Sequence, residues 1–177
     1  MLTDGRIETR ITFETDVPLP EHVQVAALVD DPAGGPVLRR IYVSYVAAAR
    51  PFGLPVIIGA PTFRASLNFV RQAGLGGAEA VRRLNTGAAK MHREIQAHSD
   101  HQPVFVAGVI GPSADAYRPE ESLPAEETRE YHGLQAESFA EAVSTFSTRR
   151  PSRPSRRPSA RRWRWAKPAC RTWSASC

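Results

Sequence analysis

Two short apolar runs, Gly53–Pro61 and Pro103–Ile110, constrain this chain more than any other feature, because each is bounded by glycine and proline and a long helical repeat lies between them. Val56-Ile57-Ile58 and Val104-Phe105-Val106 do not alternate with polar residues, as expected of strands buried on both faces. Gly111-Pro112 follows the second run and gives a loop rather than a hairpin partner. Between the runs, from about Gly77 to Ala97, Ala80, Val81, Leu84, Ala88, Met91 and Ile95 recur at helical spacing.

A similar helix precedes the first run: Pro36 opens it, Val37, Leu38, Ile41, Tyr42, Tyr45, Val46 and Ala49 form its apolar side, and Pro51 with Gly53 ends it. A third helix starts near Pro124, where proline suits the first helical position and Glu126 and Glu127 sit at the positive end of the dipole. Its inner face is Tyr131, Leu134, Gln135, Ser138 and Phe139. Residues 1–13 mix apolar and polar positions around Asp4-Gly5 and read as a strand at a turn. The order strand, helix, strand, helix, strand, helix predicts an α/β fold of parallel strands with right-handed crossovers. Periodicity alone leaves a barrel and an open doubly wound sheet as alternatives.

At 177 residues the chain is shorter than the ~250 of a complete (β/α)₈ barrel. Its net charge of +5 is unevenly spread: residues 1–142 carry thirteen Lys/Arg and eighteen Asp/Glu, whereas residues 143–177 carry ten Lys/Arg and no acid. No apolar run approaches the ~18 residues of a membrane span, and the first residues lack a secretory pattern, so no membrane partner is expected and a cytoplasmic location is. Both cysteines, Cys170 and Cys177, lie in the basic tail, and residues 1–142 must hold together by packing. No glycine-rich phosphate loop or nucleophile elbow is present.

Four segments in register resemble the homocysteine S-methyltransferase family of zinc-dependent barrels. They are Leu2-Thr3-Asp4-Gly5-Arg6-Ile7-Glu8-Thr9-Arg10; Ala60-Pro61-Thr62-Phe63-Arg64-Ala65-Ser66; Ala107-Gly108-Val109-Ile110-Gly111-Pro112 leading to Asp115-Ala116-Tyr117; and Tyr131-His132-Gly133-Leu134-Gln135. The resemblance covers residues 1–142 and implies the N-terminal portion of a TIM barrel, about three of its eight β/α units. Barrel sites form at the C-terminal ends of strands, where Asp4, Phe63 and Gly111 fall. It also implies that Asp4 holds the amino group of homocysteine or a similar thiol amino acid, with Thr62, Phe63 and Arg64 lining the same mouth; a turn-forming Asp and an ordinary strand end are the plain alternatives.

Arg6 departs from the family turn, which has glycine there to allow positive φ or close backbone approach. The resemblance implies zinc as cofactor, held by three cysteine thiolates and keeping the substrate thiol deprotonated, since a free thiol with pKa ~8.5 is mostly protonated at neutral pH. Residues 1–142 contain none of those ligands, so no bound zinc and no methyl transfer are expected of this chain. His98, Asp100 and His101 are close in sequence but read as a solvated loop. His22 and His132 carry no ligand spacing and read as surface or packing residues.

From Val143 the prolines, the repeated Arg-Pro-Ser and the missing apolar period predict disorder. Ten positive charges with Trp163, Trp165 and Trp173 would bind nucleic acid or acidic surfaces nonspecifically, the competing function class. A frameshift explains more of the tail: codons chosen for Val143 to Arg153 and regrouped one base earlier read GVDIFNAATLT, a buried-strand pattern resembling the family's fourth strand, and Arg162 to Arg171 regroup to VAVGEAGLP. A truncated, inactive fragment is then expected, with an unpaired sheet edge that favours self-association.

Overall fold

A computed structural model describes residues 1–114 and 123–147. Strand β1 (Leu2–Thr3) is followed by helices α1 (Ile7–Glu14) and α2 (Gly34–Ala49), strand β2 (Val56–Gly59), helices α3 (Leu67–Gln72) and α4 (Ala78–Ala97), strand β3 (Val104–Ala107) and helix α5 (Ala125–Ser147). The three strands are parallel in the order β1-β2-β3, with Leu2 opposite Val56 and Val56 opposite Val104. This is the expected mixed α/β class, and the order is that of one arc of a barrel and equally of one half of a doubly wound sheet.

Alternation along the strands assigns the faces. Val56, Ile58 and Val104 are buried against Ile7 and Ile11 of α1, Leu38, Ile41, Tyr42 and Val46 of α2, and Met91 and Ile95 of α4. Phe105, pointing the opposite way, is half exposed. A second cluster joins Val23, Ala26, Ala65, Val70, Val81 and Leu84.

The reading of residues 1–13 as a strand holds only for Leu2–Thr3; the rest is α1. Ile7 and Ile11, one helical turn apart, are both buried. Arg10 forks onto Glu14 at 2.9 and 2.8 Å, an i,i+4 pair that supports the same turn. Helix α2 begins ahead of Pro36, because Asp31 Oδ1 accepts the Ala33 N–H at 3.0 Å and also that of Gly34. It runs into a 3₁₀ turn at Arg50–Phe52, and Gly53, with φ of 59°, closes it.

Helix α4 buries the apolar side expected of it and also Asn85 and His92. In α5, Gln135 and Ser138 of the expected inner face are buried. That helix continues past Ala142 to Ser147, so the disorder expected from Val143 does not hold for residues 143–147, where the backbone carries the helix on. Residues 148–177, including the disorder, tryptophan and cysteine expectations, and Asp115-Ala116-Tyr117 lie outside the described residues. Among the described residues no helix is long and apolar enough to cross a membrane.

Candidate functional site

The loops that follow the three strands meet at one end of the sheet, and Asp4 stands at their centre. Its backbone N–H donates to the Ile57 carbonyl at 3.1 Å, which continues the β1–β2 ladder for one residue. Its carboxylate Oδ2 accepts the Gly59 N–H at 2.7 Å. A Cβ at Gly59 would crowd the Val109 side chain, lying 2.9 Å from its Cγ2. The other side of the same glycine is also held, by the Tyr42 hydroxyl donating to its carbonyl at 2.8 Å. Burial pushes the Asp4 carboxyl above the ordinary carboxylate range, and the Gly59 N–H opposes that rise by favouring the charged form. Burial also pushes the Tyr42 phenol upward, so it is a fixed donor at neutral pH.

Asp4 opens onto a cleft of about 440 Å³ whose walls include Arg6, Gln24, Tyr42, Phe63 and Arg64. Phe63 is 45% exposed, so an aromatic face is available to a ligand. Arg64 lies with its guanidinium carbon 5.0 Å from the centre of the Phe69 ring. Three of the four residues expected at this mouth, Asp4, Phe63 and Arg64, therefore come together. Thr62 does not line the cleft: it is fully buried, and its hydroxyl donates to the Val109 carbonyl at 2.7 Å, tying the loop after β2 to the loop after β3.

The departure at Arg6 also becomes clear. Arg6 has φ of 54° and ψ of 37°, the left-handed conformation for which the related turn uses glycine, and it caps the start of α1. Gln24, which carries no sequence signal of its own, is the other non-glycine residue with positive φ among the described residues, at 47°.

Behind the loops lies a buried polar network that the sequence indicated only as the inner face of a helix. Gln135 of α5 donates through Nε2 to the Thr62 carbonyl at 3.0 Å and to Asn85 Oδ1 at 3.1 Å. Asn85 Nδ2 donates in turn to the Ala65 carbonyl at 2.9 Å. Ser66 and Tyr131 share a hydroxyl–hydroxyl contact of 2.5 Å. Two helices are thereby fastened to the loop that carries Phe63 and Arg64, and a glutamine on an apolar helix face was the signal available for it.

The histidines do not converge. His98 Nδ1 contacts the Glu94 carbonyl at 2.8 Å and His101 Nε2 the Leu54 carbonyl at 2.7 Å, while Asp100 pairs with Arg50 at 3.8 Å. The loop reading of this segment is thus supported by separate partners for each residue. Among the described residues no three His, Cys, Asp or Glu side chains are grouped to hold a metal ion. The thiolate set that zinc needs does not fit the described residues, which contain no cysteine.

A three-stranded parallel sheet covered by helices, with a half-buried carboxylate at the C-terminal mouth of its strands, places this chain in the α/β class. The family model described as homocysteine S-methyltransferase matches residues 1–147, and the chain belongs to that family. No curated protein and no solved structure matches it.

Proposed function

We propose that this chain is the N-terminal arc of a (β/α)₈ barrel and carries the amino-acid-holding corner of a thiol S-methyltransferase acting on homocysteine or a similar thiol. The observation that carries this reading is the Asp4 carboxylate, fixed by the Gly59 N–H and open to the cleft. An ionised carboxylate in that position accepts hydrogen bonds from a substrate ammonium, and partial burial strengthens the attraction. Phe63 and Arg64 flank the ligand. Thr62 contributes by holding the two loops together rather than by contact.

Zinc chemistry in such an enzyme supplies a deprotonated thiol, and its sulfur ligands would come from outside the residues described here. We further propose that residues 143–177 are coded out of register, so that this polypeptide alone binds the amino acid without transferring a methyl group. Sequencing the gene tests the second point, and the idea fails if no one-base change restores a long apolar-patterned frame.

The first point is tested by titrating the full chain with L-homocysteine and following its amide resonances. Shifts at Asp4, Gly59 and Arg64 are expected, and their absence at millimolar ligand overturns the reading. Stoichiometric zinc together with methyl transfer to homocysteine by this chain would overturn the proposed division between binding and chemistry.

A further inference from the structure

The two non-glycine residues with positive φ among the described residues, Arg6 and Gln24, lie on the same cleft. Side chains other than glycine enter this backbone region at a cost, and clusters of such positions mark ligand sites. The two residues come from separate segments, one at the start of α1 and one at the start of the 3₁₀ segment Gln24–Val29. Neither the Arg6 guanidinium nor the Gln24 amide has a hydrogen-bond or ion-pair partner among the described residues. The other guanidinium of the cleft, Arg64, is by contrast stacked on Phe69.

Charge points the same way. The cleft sets Asp4 and Glu8 against Arg6 and Arg64, a balanced lining that matches a zwitterion better than a simple cation or anion. A guanidinium presents parallel N–H donors that fit both oxygens of a carboxylate, and an amide adds a further N–H. Glycine in the place of Arg6 has no side-chain donor to offer.

We propose that Arg6, assisted by Gln24, grips the carboxylate of the amino acid whose ammonium Asp4 holds, and so determines specificity for a free carboxylate over an esterified or amidated one. This inference rests on the proposed role of Asp4, and the test separates the two. Binding of L-homocysteine and of L-homocysteine methyl ester to the full chain is measured by calorimetry. The ester keeps the ammonium and the thiol and loses the negative charge.

The unaltered chain should favour the free acid by roughly 10- to 100-fold. Arg6→Gly should abolish that preference while leaving ester affinity unchanged, and because glycine suits the backbone here, misfolding does not explain the loss. Arg6→Lys should restore part of the preference, and Gln24→Gly should reduce it by less than Arg6→Gly does. If Arg6→Gly keeps the preference, the inference is overturned. Asp4→Asn should weaken both ligands equally; if it changes neither while Arg6→Gly still removes the preference, the Asp4 reading fails and the Arg6 assignment stands. Failure of the unaltered chain to bind either ligand overturns both.

Discussion

Acidification should destabilise this protein through one buried histidine. His92 of α4 is fully buried, with its ring edge-on to Tyr42 at 4.1 Å between centroids. Its Nδ1 contacts the Ala88 carbonyl at 3.0 Å. Burial pushes its pKa down from 6.5 to about 4; the Ala88 and Gly59 backbone favours the charged ring and offsets only part of the fall, and Arg39 across the α2–α4 interface adds to it. The folded value lies below the unfolded one, so the neutral ring's contribution to stability is complete above pH 6.5 and is lost as the pH falls towards 4. A gap of about 2.5 pH units at about 1.36 kcal/mol each amounts to about 3 kcal/mol. That is a large share of the ~5–15 kcal/mol that holds a typical domain together.

The assay is urea unfolding of the full chain across this pH interval, beside His92→Phe, which keeps a ring against Tyr42 and cannot be protonated. The difference between the two proteins should change by about 3 kcal/mol in favour of the variant as the pH falls. Asp4 acts in the opposite sense, since its folded pKa is raised and protonation relieves its burial, but both proteins carry Asp4 and the difference cancels it. Parallel pH profiles for the two proteins would refute the reasoning.

Three further outcomes test the loops and the cleft. Gly111→Ala would place a Cβ 2.3 Å from the Phe63 carbonyl oxygen, a backbone atom that cannot swing aside; a loss of about 1–3 kcal/mol is expected in urea unfolding, and an unchanged midpoint would contradict the loop contact. Asp4→Asn keeps an oxygen for the Gly59 N–H and removes a charge that burial disfavours, so the thermal midpoint at neutral pH should stay level or rise while ammonium binding is lost; a clear fall in the midpoint would refute this. Arg6→Gly relieves a left-handed arginine and should raise stability by about 0.5–1 kcal/mol, read in urea; destabilisation would mean that the side chain contributes packing that outweighs the strain.

The elements legible in the sequence were those with a strong period or strong β-branching. Val56-Ile57-Ile58, Val104-Phe105-Val106 and the long apolar repeat of α4 announce themselves, and each is found where expected. Helix α1 escaped because two isoleucines over eight residues form too short a stripe to outweigh an alternating reading. The Gln24–Val29 segment and α3, six residues each, carry less pattern still. At the site, motif position located the mouth but not the direction of each side chain. Thr62 sits inside the motif and faces the core, whereas Gln24 sits in no motif and lines the cleft. Arg6 was the opposite case: an arginine in place of the turn glycine argued against the positive φ that glycine permits, yet the residue adopts that conformation.

The corner proposed to hold the substrate ammonium is built from local contacts. Every contact that fixes Asp4 is made between β1, β2 and α2: the Asp4 N–H to Ile57, the carboxylate to Gly59, and Gly59 to Tyr42. None of these depends on closure of a sheet, since the first two are local to neighbouring parallel strands and the third comes from the helix packed against them. A set of thiolates that coordinate one metal ion must instead converge from several strand ends at once. The corner proposed to hold the ammonium can therefore form within the residues described here, whereas a metal-binding set of thiolates would need ligands that those residues do not contain.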